Sequence, residues 1–148
     1  MRPLILPLVC LIILFTACKK TNSLKHPQTV YLRDKSLSEI KTEVLGNWKI
    51  HYKYGGITGN TKTQLTNSFF KVVSNDSIYL TTNNIPSIRD IAVFRRLRTE
   101  FGYNAYTMNF TSFGGTPYQW IVDLKIGDTL GLSDNFPNGE IYMMTRIP

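Results

Sequence analysis

The residues that most often do chemistry are few in this chain, and their spacing keeps them apart. His26 and His51 lie far from each other, and His51 falls on the polar side of an alternating stretch, where a solvated side chain is the ordinary reading. Nucleophilic catalysis needs a base beside the nucleophile, and this sequence pairs none. The only cysteines, Cys10 and Cys18, lie in or beside one N-terminal apolar run, so the rest of the chain has no disulfide framework and no cysteine zinc site. Carboxylates are sparse and fall mostly in turns (Asp76, Asp128, Asp134), where they cap backbone groups. Gly114-Gly115 joins two strand-like runs rather than a strand and a helix, so it is no phosphate cradle. The expectation is a protein that is not an enzyme and uses neither a metal nor a cofactor.

Arg95-Arg96-Leu97-Arg98 is the one polar cluster that invites a function. On a strand Arg95 shares a side with Val93 and Leu97, while Arg96 and Arg98 take the other. If Val93 and Leu97 face inward, Arg95 is desolvated, and an acidic ligand headgroup is its natural partner. The alternative is a wet rim where Arg95 pairs with Asp90, Glu100 or water. The formal charge is +7, spread along the chain apart from this cluster. A nucleic-acid binder would show a continuous basic stripe with interleaved aromatics, so nucleic acid is not an expected partner.

These residues need elements to position them. Residues 1–17 carry Arg2 and an apolar run from Leu4 to Phe15, too short to cross a bilayer comfortably and shaped like a signal peptide. Residues 18–33 are polar and aperiodic, a flexible tether. Residues 34–46 form the one good helix. Ser36 and Glu39 make a capping box, Leu37, Ile40, Val44 and Leu45 share a face, and Gly46 stops it. From Trp48 the period becomes two, with Trp48, Ile50, Tyr52 and Tyr54 alternating with Lys49, His51 and Lys53. Further apolar runs follow at 69–73, 78–80, 91–97, 103–110, 118–126, 129–132 and 141–147, separated by Gly, Asn, Asp and Pro. Eight short strands without a second helix for a crossover require an antiparallel sheet. Tyr118, Trp120, Val122 and Leu124 share one side of their strand, with Tyr52 and Trp48 as further inward candidates.

Thr16-Ala17-Cys18 resembles the lipobox of bacterial lipoproteins, although Phe15 stands where Leu is usual. The resemblance implies that Cys18 is acylated and becomes the first mature residue. The expected location is then the cell envelope, through a lipid anchor in what is expected to be the outer membrane. A helix followed by Gly46-Asn47-Trp48 opening eight antiparallel strands, with Arg146 near the end of the last, resembles the lipocalin (calycin) pattern and the small lipocalin-like lipoproteins of Bacteroidota. That resemblance implies an all-β, eight-stranded antiparallel up-and-down barrel over residues 34–148 with one short N-terminal helix, and Arg146 packed across Trp48. It also implies a small hydrophobic or amphipathic acidic ligand, for which Arg95, Tyr52, Tyr118 and Trp120 are the binding candidates. Bulky inward residues equally suit a solid barrel that acts as a structural or protein-interaction module, since eight strands enclose little more than their own side chains. Asp76-Ser77-Ile78 and Asp128-Thr129-Leu130 resemble O-glycosylation sites of exported Bacteroidota proteins; as plain sequence they are two turns entering strands.

Overall fold

The structure, a computed structural model, describes residues 27–56 and 61–148. The expected signal peptide, Cys18 and the first part of the tether lie outside these residues. The remainder of the tether is not loose. Thr29–Tyr31 forms a strand, β1, and Leu32–Asp34 a single 3-10 turn that buries Leu32.

The helix, α1, spans Leu37–Val44. Ser36 caps it: Glu39 N donates to Ser36 Oγ, and Ser36 N donates back to the Glu39 carboxylate at 2.8 Å. Hydrogen bonds to the carboxylate from the Ser36 amide, the Ser36 hydroxyl and Lys35 hold the Glu39 carboxyl down at about 2. Ile40 and Val44 are fully buried, whereas Leu45 is exposed. Gly46 follows at φ +122°, a conformation that favours glycine, and opens the first long strand.

Nine strands form one path: β2 (Gly46–Gly55), β3 (Lys62–Val72), β4 (Ser77–Thr82), β5 (Ile85–Ile91), β6 (Val93–Arg98), β7 (Asn104–Thr111), β8 (Pro117–Ile126), β9 (Thr129–Asp134) and β10 (Glu140–Ile147). All pairings are antiparallel, in the spatial order β5-β4-β3-β2-β10-β9-β8-β7-β6, and β1 adds to β8. The sheet is curled. Its two ends, β5 and β6, are consecutive in the chain, with only Ala92 between them.

Strand β5 falls where the sequence reads as a break. Asn83 and Asn84 both hold positive φ, at 50° and 66°, the requirement for a two-residue hairpin turn whose twist suits the flanking strands. Pro86 then sits in the strand beside a register shift at Leu80/Thr81, where its missing N–H costs little. The expected strand over 91–97 is correspondingly split at Ala92.

The core lies on the concave side. Trp48, Ile50, Phe70, Ile78, Met108, Trp120, Val122, Leu130, Leu132 and Met144 are all at most 1% exposed. Leu32, Ile40 and Val44, from the 3-10 turn and α1, belong to the same cluster. Burying a side chain of this kind contributes about 1.5–3 kcal/mol.

Two bulges decide which side chains reach that core. In β2, pairing with β10 steps from Ile50–Met144 to Tyr52–Met143, leaving His51 as the extra residue. An extra residue reverses the alternation beyond it. Lys53, opposite the core-packed Tyr142, therefore points inward, while Tyr52 and Tyr54 point outward. In β8, pairing with β9 steps from Val122–Leu132 to Leu124–Gly131, leaving Asp123 extra. Leu124 therefore turns outward, over Gly131, where an added Cβ would lie 3.0 Å from Leu124 Cγ. Lys125 turns inward beneath α1 and pairs with Glu43.

Candidate functional site

Trp48, Arg146 and Gly46 form one unit at the end of the sheet that α1 covers. Trp48 is fully buried, and its Nε1 donates to Val44 O, the last residue of the helix, at 2.8 Å. Arg146 stands opposite Trp48 in the β2–β10 register, its Cζ 4.5 Å from the indole centre. Its Nη1 donates to Leu45 O and its Nη2 to Glu43 O, at 2.8 and 2.9 Å. A guanidinium suits this place because it stacks on a ring and also satisfies the carbonyls that a helix end leaves free. A Cβ on Gly46 would stand 3.1 Å from Arg146 Nη1, so glycine is required there for space as well as for its φ.

Next to this unit on the concave side an aromatic cluster crosses the interior, beginning at Phe70, which stands opposite Trp48. Trp120 meets Phe110 edge-on with centroids 5.0 Å apart, Phe70 at 5.3 Å and Tyr142 at 4.8 Å. Tyr118 stacks on Phe110 at 5.5 Å. Two of the binding candidates, Tyr118 and Trp120, thus meet, as members of a packed aromatic cluster. Trp120 is fully buried.

The sequence reading missed the polar groups beside this cluster. Lys53 pairs with Glu140, and the Tyr142 hydroxyl donates to Glu140 at 2.6 Å. Asp134 stands opposite Trp120 and accepts the Glu140 amide at 3.1 Å. Burial pushes the Asp134 carboxyl above its ordinary value, with that amide opposing, and burial likewise pushes the Tyr142 phenol up. Trp120 Nε1 and Asp134 Oδ1 are buried without a hydrogen-bond partner among the described residues. No sequence signal places Lys53 inside, because only the bulge at His51 turns it there.

The other two candidates leave the interior. Tyr52 is outward for the reason already given, and Lys62 Nζ lies 4.0 Å from its ring centre. Arg95 stands opposite Thr107, on the face of β6 away from the core, and is exposed. The inward residue of that strand is Phe94, opposite Met108 and packed on the core; Val93 is 49% exposed. Alternation gives the two sides of a strand but not which one faces in, and here the bulkier Phe94 takes the core. Arg95 instead lines an open groove of about 600 Å³ with Val93, Asn109, Gln119 and Phe136, and Tyr118 and Phe110 at the margin of the aromatic cluster line it too, so Arg95 and Tyr118 share this groove.

His51 bonds the Thr145 hydroxyl at 2.7 Å, and Asp123 sits beside Tyr103 and Arg33, its carboxyl pushed up by burial. Among the described residues no group of three or more His, Cys, Asp or Glu is placed to hold a metal. Ser77 and Thr129 are the first residues of β4 and β9. Compared with known families, curated proteins and solved structures, the chain matches none.

Proposed function

We propose that the chain is the folded head of a lipid-anchored cell-envelope protein: a lipocalin-like, eight-stranded up-and-down barrel, filled by its own side chains, that works through its outer surface as a structural or interaction module. Closure is supported by the two ends of the sheet path. β5 and β6 read as one strand bent at Ala92, pairing with β4 along its first half and with β7 along its second. The Thr111 amide donates to Asp90 Oδ2 at 2.7 Å and the Phe113 amide to Ser87 O at 3.3 Å, across the gap between β7 and β5. Taking β5 and β6 as one, the circuit has eight strands. The Trp48–Arg146 unit supports the lipocalin-like reading.

The observation that carries the functional reading is the aromatic cluster that crosses the interior, with Trp120 fully buried among Phe70, Phe110 and Tyr142. A carrier of small apolar molecules needs a cavity of roughly 300 Å³ or more. Here Phe70, Phe110, Trp120 and Tyr142 occupy the middle, and the one arginine expected to meet an acidic ligand lies outside.

The test titrates residues 19–148 with a series of fatty acids and the matching alcohols while following tryptophan fluorescence. The parent should show no saturable change. Phe70→Ala, which leaves a void beside Trp48, Leu80 and Trp120, should gain binding of a probe such as benzene, as dry engineered cavities do. Saturable one-to-one binding of any member of the series to the parent would overturn the filled-barrel reading.

A further inference from the structure

The strands β2, β3, β4 and β10 contain a single acidic residue, Glu140, which is turned inward and held by Lys53 and Tyr142. Their outer face has a different composition. One cross-strand row runs Ile147, Asn47, Lys71, Tyr79 and on to Arg89 of β5; the next runs Thr145, Lys49, Phe69, Thr81. Farther along the same strands lie Tyr52, Tyr54, Lys62 and Ile141. Phe69, Tyr79, Tyr54, Ile141 and Ile147 are each between 36% and 39% exposed. Phe69, Tyr79, Lys71 and Ile147 share an open groove of about 420 Å³.

None of Lys49, Lys62, Lys71 and Arg89 is ion-paired among the described residues, although all ten carboxylates of the chain lie within them. Elsewhere Lys35, Lys41, Lys53 and Lys125 each have a carboxylate. Asp90, beside Arg89 at the β5 edge of the face, already accepts the amides of Ile91 and Thr111.

We infer that this face docks on a bilayer surface bearing anionic headgroups. The inference rests on the reading of the barrel as a module that works through its exterior. Unpaired lysines beside half-exposed tyrosines and phenylalanine match the water–lipid interface, where amphipathic rings sit at headgroup depth and long cationic side chains reach the phosphates. Ile141 and Ile147 fit the same surface, because a bilayer interface takes up aliphatic groups that a purely ionic partner leaves in water. A juxtaposed lysine or arginine strengthens binding about fivefold near such a membrane, and the attraction is screened within a Debye length.

The test floats residues 19–148 with vesicles of phosphatidylcholine alone and of phosphatidylcholine containing phosphatidylglycerol. Binding is expected only to the second, and raised salt should remove it. Lys49→Gln with Lys71→Gln should weaken it about thirtyfold. Arg95→Gln with Arg96→Gln, which removes the same charge from another side, should leave it unchanged. All four side chains are exposed, and thermal melting checks that both variants remain folded. Equal binding to neutral vesicles, no binding to either, or an equal loss in the Arg95/Arg96 variant would overturn the proposal. So would tighter binding of a single-stranded oligonucleotide that the Lys49/Lys71 variant loses. The fatty-acid titration runs on the same samples. Absent vesicle binding with an unresponsive interior sinks this inference alone, whereas a saturable interior sinks the reading beneath it.

Discussion

The Arg146 guanidinium lies over Trp48, 4.5 Å from the ring centre, and also holds the carbonyls of Leu45 and Glu43. One side chain thus ties the last strand to the first long strand and to the helix between the N-terminal turn and the sheet. Neither the stacking nor the two carbonyl bonds survive without the other partner's placement, so the residues should behave as a pair.

Trp48→Ala is expected to cost about 3–5 kcal/mol, as a large core side chain removed from a fully buried site. Arg146→Ala should cost less alone, and the double variant should fall short of the sum by about 0.5–3 kcal/mol. Denaturant unfolding of the four proteins measures this. Strict additivity would mean that the stacking contributes nothing.

Gly46→Ala should destabilise by about 1–3 kcal/mol, since an L side chain is strained at φ +122° and its Cβ presses on Arg146 Nη1. Part of that loss should vanish in the Arg146→Ala background, where the crowding atom is gone. If Gly46→Ala melts with the parent, the backbone relaxes and the steric account fails.

The raised Asp134 carboxyl makes a pH prediction. An acid whose folded value lies above its ordinary 3.8 holds more protons folded than unfolded, so its contribution to stability falls as pH rises through that window. Asp134→Asn keeps an acceptor for the Glu140 amide but cannot ionise. Relative to this variant, the parent should lose stability as pH is raised from about 3 to about 7. Parallel stability curves for the two proteins would show that Asp134 is not desolvated in the folded state.

Cys18→Ser tests the anchor. Acyl chains contribute about 0.8 kcal/mol for each buried CH₂, and more than one chain makes anchoring stable. The variant should move from the detergent-extracted fraction to the soluble fraction of the envelope. A variant that still resists extraction as the parent does would rule out lipid at Cys18 as the anchor.

What the sequence determined by itself is local. The capping box at Ser36 and Glu39, the end of the helix before Gly46, the antiparallel arrangement and the inward Trp48 and Trp120 all follow from neighbours a few residues away. The Arg146–Trp48 stacking was expected only through a family resemblance. The tertiary structure decided the phase and continuity of the strands. Strand β5 begins past a Pro86 that reads as a breaker, because paired positive-φ asparagines and a register shift make room for it. Counting in twos sends Tyr52 and Leu124 inward, and Arg95 too if Val93 and Leu97 face the core; the exposed rim is the alternative that Arg95 takes. Single inserted residues at His51 and Asp123 reverse the count for the first two, and Phe94 takes the core side in the third. Alternation is a property of one strand, whereas its phase and its bulges are set by the strand hydrogen-bonded beside it. In β2 that partner is β10, whose Thr145 is 94 residues along the chain from His51.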